Sequence, residues 1–237
     1  MKLFLRARRI RRKGDPEIAQ LTALIGAGRR TIDIGANRGV YSYWLSQTSR
    51  AVEAFEPNPV LAGNLARAGI GNITVHALAL SECSCAGDLL VPRHRNGGLD
   101  DPGGRLEGLT QSQVGQKFVV TLARLDDFAF DEVDFIKIDV EGHEEKVIVG
   151  GWKTIVAYRP LLLVELEERH NPGCVARVRR RFAELNYCMS FLDDGAWHPA
   201  DSLGAAQFSR SGRYINNFLL YPNERFAALA DPVRKSR

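Results

Sequence analysis

The 237-residue sequence has no apolar run approaching the roughly 18 residues that a membrane-spanning helix needs. Its opening, Met1-Lys2-Leu3-Phe4-Leu5-Arg6, is too short in apolar residues for a signal peptide, so a cytoplasmic protein is expected. Cysteine is scarce: Cys83, Cys85, Cys174 and Cys188 have neither zinc-type nor C-x-x-C spacing, which leaves scattered reduced thiols as the expected state. Acidic residues are missing from Met1 to Lys13, where seven bases stand (Lys2, Arg6, Arg8, Arg9, Arg11, Arg12 and Lys13). That one stretch accounts for the net charge of +4, because the rest of the chain holds 25 bases against 28 acids. No broad basic-and-aromatic pattern runs along the sequence, so a nucleic-acid partner is not expected.

What is present fits one globular unit. A hydrophobic content of 45% with 25% charged residues is ordinary for a packed domain, and 237 residues suffice for a sizeable core. The expected organisation is a basic arm over 1–13 and a single domain over 14–237. Leu3, Phe4, Leu5, Ala7 and Ile10 interleave with the bases of the arm, which reads either as a solvated terminus or as a contact for an anionic membrane surface.

The chain is organised around Thr31-Ile32-Asp33-Ile34-Gly35-Ala36-Asn37-Arg38-Gly39-Val40-Tyr41-Ser42, which reads as a buried strand, a sharp turn and the start of a helix. A dinucleotide fingerprint requires G-x-G-x-x-G, the second glycine admitting a pyrophosphate. Here the pattern is G-x-x-x-G with Asn37 in the middle, which suits a nucleoside without that phosphate, such as S-adenosylmethionine. The next strand, Ala51 to Phe55, ends at Glu56, about twenty residues past the first glycine, where a carboxylate can accept both ribose hydroxyls. Pro57 and Pro59 stop that strand, and Asn58 can cap the helix that follows.

Three runs together carry a family resemblance: D-I-G-A-N-R-G-V-Y-S from Asp33, E-A-F-E-P-N-P from Glu53, and D-F-I-K-I-D-V-E-G-H-E from Asp134. The sequence resembles the FkbM family of methyltransferases from roughly Thr31 to Glu168, with a weaker echo at Asn217-Phe218-Leu219-Leu220; the third run is the most family-specific. The resemblance implies an S-adenosylmethionine-dependent enzyme, usually an O-methyltransferase acting on hydroxyls of sugars, glycolipids or polyketides. It also implies an α/β, Rossmann-like class I methyltransferase fold: a seven-stranded, mostly parallel sheet with one reversed strand and helices on both faces. The donor site it implies comprises Asp33, Gly35, Ala36, Asn37, Gly39, Tyr41, Ser42, Glu56, Pro57, Asn58, Ala79, Leu80 and Asp139, with Ala79 and Leu80 beside the adenine. Two other readings stay open, an NAD-dependent oxidoreductase on a similar sheet and a non-catalytic nucleoside-binding protein.

The remaining pattern agrees with strands alternating with helices. Strands are expected near Ile73–Leu80, Phe118–Leu122, Val133–Val140, Pro160–Glu165, Tyr187–Leu192 and Tyr214–Tyr221, with helices over Gly39–Gln47, Val60–Ala68, His143–Gly150 and Cys174–Leu185. Asp15-Pro16-Glu17 reads as an earlier helix start. Residues 92–117, rich in glycine and proline, read as a lid over the acceptor or as a surface insertion, and with 193–213 they are expected to shape the acceptor pocket. Asp33, Glu56, Asp139 and Glu165 all fall at strand ends and converge on one rim.

Methyl transfer to an alcohol requires alignment and a general base. His143 is the expected base, Glu141 its orienting partner, and Asp139 a lining residue of the donor pocket. Asp139, Glu141 and His143 holding a divalent metal is a cramped variant, and no metal is expected.

Overall fold

The computed structural model describes residues 16–20, 24–25, 28–92, 105–106, 115–169, 171–204, 207–208 and 212–225. The basic arm over 1–13 and most of the expected lid lie outside these residues.

Chain order begins with a 3-10 turn at Pro16–Gln20, then β1 (Arg30–Ile34), α1 (Val40–Ser46), β2 (Ala51–Phe55), α2 (Pro59–Ala66) and β3 (Ile73–His76). Next come β4 (Ala79–Leu80), β5 (Cys85–Pro92), β6 (Arg105–Leu106), β7 (Gly115–Ala123) and a 3-10 turn at Leu125–Phe128. The second half holds β8 (Val133–Ile138), α3 (Glu144–Gly150), α4 (Trp152–Tyr158), β9 (Leu161–Glu165), α5 (Cys174–Ala183), β10 (Tyr187–Asp193), β11 (Ala196–Pro199) and β12 (Asn217–Pro222).

The main sheet runs β11-β10-β12-β9-β8-β1-β2-β3. Its five strands from β3 to β9 are parallel, and β12 enters antiparallel between β9 and β10. The expected seven strands with one reversed are therefore present. An eighth, β11, extends the edge as a hairpin partner of β10 through the tight turn at Asp194-Gly195, so 193–213 is not wholly irregular. A second sheet, β4-β7-β5-β6, was not anticipated. β5 and β7 pair antiparallel along their full length, Cys85 opposite Leu122 and Pro92 opposite Gly115. Within 92–117 the described residues, Pro92, Arg105–Leu106 and Gly115–Lys117, are strand residues held in a ladder that periodicity cannot reveal.

The strands alternate their side chains between two helical layers. Ile32, Ile34, Ile136, Ile138, Leu162 and Val164 pack with Val147 and Ile148 of α3, Ile155 of α4, and Val178 and Phe182 of α5. On the other face Val52, Phe135, Leu161 and Leu163 pack with Tyr41 and Leu45 of α1 and with Ile18, Leu24 and Ile25. Every residue of β8 is buried, as expected of a central parallel strand covered on both sides. β1 sits where the strand order reverses, β2 to one side and β8 to the other, and the carboxyl ends around that point are where a ligand crevice forms.

Candidate active site

Four strand exits and one inserted segment build a single crevice at that point. The β1–α1 turn contributes Ile34, Gly35 and Asn37; the β2 exit contributes Phe55, Glu56, Pro57 and Asn58; the β8 exit contributes Asp139, Val140 and Glu141. Leu61 of α2, Leu78 to Leu80, Leu89 of β5 and Glu165 at the end of β9 complete the wall.

The turn is fixed by contacts between main chains. Gly35 has φ +78, and a Cβ built on it would lie 1.8 Å from the carbonyl oxygen of Asp139. Glycine is required here because the β8 exit presses against the β1 turn, beyond any room a ligand needs. Gly39, at φ +76, starts α1 in the left-handed region, and its Cβ would meet Leu65 Cδ1 at 2.4 Å. Asn37 also has positive φ, at 52°, a conformation asparagine tolerates better than most residues. Its side chain occupies the place where a dinucleotide-binding loop keeps glycine, and its Oδ1 is buried with no hydrogen-bond partner.

Glu56 is buried, yet its carboxylate is held by main-chain donors. Oε2 accepts the Asn37 N–H at 2.7 Å and Oε1 accepts the Asn58 N–H at 2.8 Å. Burial pushes its pKa up to about 7, against the lowering effect of those two N–H groups. Each carboxylate oxygen keeps a second lone pair for a ligand hydroxyl. Asn58 caps α2 as expected, its Oδ1 accepting from the N–H of Val60 at 3.0 Å and of Leu61 at 3.4 Å, with Pro59 following at the first helical position.

Beneath the crevice lies a buried charged layer. Asp33 is fully buried and accepts the Ser42 hydroxyl at 2.5 Å, while its Oδ1 has no partner. Burial raises its pKa, opposed by the charge of Lys137. Lys137 is buried in β8, donates to Asp139 at 2.7 Å, and lies 4.5 Å from the centre of the Tyr41 ring. Burial alone would depress the Lys137 pKa, but the charges of Asp139 and Asp33 outweigh it and hold the ammonium above its ordinary value. Asp139 is half-buried; burial would raise its pKa, and Lys137 with hydrogen bonds from Lys137 and Glu165 brings it below the usual carboxylate range. Glu165 is pushed up to about 10 by burial and by the neighbouring Asp139.

Of the residues expected at the site, Gly35, Asn37, Glu56, Pro57, Asn58, Ala79, Leu80, Asp139 and Glu141 line the crevice. Asp33, Ala36, Gly39, Tyr41 and Ser42 do not line it; they build the layer behind, Ala36 by donating its N–H to the Phe55 carbonyl at 2.9 Å. His143 is not brought to the crevice either. It stands at the position before α3 without a side-chain capping bond, is buried, and its Nε2 pairs with the Ser81 hydroxyl at 2.9 Å. The sequence places it two residues after a rim residue, but the left-handed turn at Glu141 and Gly142 carries the ring inward. At the helix start Glu144 Oε1 accepts the N–H groups of Gly142 at 2.9 Å and Val140 at 3.3 Å, which holds the loop that carries Glu141. Leu89 was missed because β5 carries no strand-like alternation. Glu165 was seen as a strand-end acid without an assigned role. Among the described residues no group of three His, Cys, Asp or Glu side chains is arranged to hold a metal ion. Among the described residues no helix is long and apolar enough to cross a membrane.

No curated protein sequence matches this chain. A similar fold occurs in a methyltransferase FkbM from Methylobacillus flagellatus KT, with 17% identity and a TM-score of 0.55 over 82% of this chain. The chain spans 44% of that protein's length. An rRNA methylase from Streptococcus thermophilus aligns with 10% identity and a TM-score of 0.49 over 86% of this chain and 92% of its own. A methyltransferase from Streptococcus mutans in complex with SAH aligns with 8% identity and a TM-score of 0.48 over 87% and 96% of the two chains. At 17% identity the likeness to the Methylobacillus flagellatus enzyme is one of fold. The methyltransferase FkbM domain matches residues 33–189, from the first strand to the start of β10, and with well over half its length so matched the chain belongs to the FkbM methyltransferase family.

Proposed function

We propose that this chain is an S-adenosylmethionine-dependent O-methyltransferase whose acceptor is a hydroxyl of a sugar, a glycolipid or a polyketide. The observation that carries the reading is the crevice at the sheet's reversal point, where the Gly35–Asn37 turn, Glu56 and Asp139 share one rim. The residues present fit such a donor. Glu56 offers free lone pairs toward the side where ribose hydroxyls would lie, and the orphaned Asn37 Oδ1 offers an acceptor for a donor N–H or O–H. Phe55, Leu61, Leu78, Ala79 and Leu80 supply an apolar slot for a purine. Asn37 in place of glycine leaves little room for a pyrophosphate, which weighs against NAD.

When bound, the donor supplies an electrophilic methyl group on a sulfonium. The chain's part is alignment and proton handling. Asp139 and Glu141 face the crevice at the β8 exit and are the proton-accepting groups of this proposal, together with the carboxyl partner discussed below. His143 acts as a positioning residue: through Ser81 it ties the Ala79–Leu80 wall to the loop that carries Asp139 and Glu141.

Calorimetric titration with S-adenosylmethionine and with NAD tests the donor assignment: the first is expected to bind and the second not, and the reverse overturns the reading. A screen with labelled methyl donor against glycans, lipid-linked sugars, polyketides and, as a control class, RNA tests the acceptor. Label transferred only to RNA overturns the hydroxyl-of-small-acceptor reading.

A further inference from the structure

One pair of acids on the rim has a geometry that neither the turn motif nor the Glu56 site explains. Asp139, just past β8, and Glu165, at the end of the adjacent parallel strand β9, both line the crevice, each following directly on the registered pair Ile138 and Val164. Two carboxyl groups that leave neighbouring strand ends into one crevice repel when both are ionised, and one proton held between them relieves that repulsion. The surroundings fix which of the two carries it. Lys137 donates to Asp139 at 2.7 Å, which keeps Asp139 ionised, while Asn216 donates its Nδ2 to Glu165 Oε1 and leaves the other Glu165 oxygen to hold the proton against Asp139. The remaining charged groups near the pair are acidic, Glu141 beside Glu165, with Asp33 and Glu56 acting on the layer around Asp139, and Glu167 at the far side of Asn216. Lys137 is the cation that acts on both acids, and the acids around it outnumber it, so the crevice carries surplus negative charge that a shared proton relieves.

We propose that Asp139 and Glu165 hold one proton in common while the crevice is empty, surrender it when the sulfonium of the donor enters, and as an ionised pair take up the acceptor's hydroxyl proton during transfer. The inference rests on the donor assignment made above. A positive charge arriving within the crevice favours the ionised form of an adjoining carboxyl, as Lys137 already does for Asp139. In the transfer step the acceptor's O–H bond breaks with its proton passing to the pair, an O–CH3 bond forms, the S–CH3 bond breaks, and the leaving group departs as a neutral thioether. The pair is then back at one proton, and the neutral product no longer holds it ionised, so the site resets with product release.

Glu165→Gln is the informative variant. A glutamine accepts from Asn216 and donates to Asp139 as the protonated acid does, so it copies the pair locked in its proton-bearing form without removing a contact. Titration of the full chain with S-adenosylmethionine near neutral pH, in buffers of differing ionisation enthalpy, is expected to show release of about one proton per donor bound. S-adenosylhomocysteine, which lacks the charge, is expected to release much less, and Glu165→Gln to bind the donor with no proton release. On the acceptor found by the screen, Glu165→Gln is expected to lower kcat by about 100-fold or more. Asp139→Asn, which also cannot share a proton with Glu165 in the same way, is expected to abolish the buffer dependence as well. Donor binding with heats independent of buffer, proton release equal for the sulfonium and the thioether, or release undiminished in both variants overturns the proposal and leaves the donor assignment standing. Failure of S-adenosylmethionine to bind at all overturns the donor assignment and this inference with it.

Discussion

Gly35 carries the tightest steric demand at the site. Any side chain there collides with the Asp139 carbonyl, and the positive φ adds strain of its own. Gly35→Ala is expected to cost about 3 kcal/mol or more in urea unfolding, and to abolish donor binding in whatever fraction folds. Glu56 and Glu165 set a pH dependence whose sign follows from their raised values. Folding favours the neutral form of each, so their contribution is complete below the ordinary carboxylate pKa of 4.5 and is lost as pH rises through about 7 for Glu56 and about 10 for Glu165. The melting temperature of the empty protein should therefore fall between about pH 5 and pH 8, and Glu165→Gln should make that fall shallower. A midpoint that rises over this window, with the variant unchanged, would remove the basis for both assignments. For His143 the discriminating reading is the pH–rate profile. As a positioning residue, His143→Ala should weaken donor binding and leave the profile's shape intact, whereas loss of a limb near pH 6.5 would restore it as the base.

Among the elements, α2 shows how a boundary residue serves fold and site at once. Asn58 closes the helix with its side chain, donates its own N–H to Glu56, and lines the crevice. Asn58→Ala is expected to cost about 1 kcal/mol by chemical denaturation, and Asn58→Asp to recover most of it. The parallel strands were legible in the sequence because Ile32, Ile34, Phe135, Ile136, Leu161 and Leu163 form dense apolar runs bounded by turn residues. The β5–β7 hairpin was not, because Gly87 and Asp88 break the apolar alternation of Cys85–Pro92 and the register depends on a partner some thirty residues away. The same reason hid the site's second half. The turn, Glu56 and the β8 exit are local motifs, whereas the burial of His143 depends on Ser81 and the role of Glu165 depends on Asp139 and Asn216, each distant in sequence.

At the scale of the whole molecule, a bound donor would join the β1, β2 and β8 exits and so oppose global unfolding. S-adenosylmethionine at a hundredfold excess over its Kd is expected to add about 2.7 kcal/mol of stability, seen as a rise in melting temperature that NAD does not produce. An equal shift with NAD would count against the reading of Asn37. The close meeting of Gly35 with the Asp139 carbonyl has a bearing on how such a protein can change over time. The crevice floor at that point is a contact between two main chains that admits no side chain at Gly35, so it is closed to substitution. Novelty in substrate choice must then arise at the periphery, in the inserted β5–β7 ribbon with Leu89, and a mutant library seeking new acceptors would do best to randomise that ribbon and spare the ground beneath it.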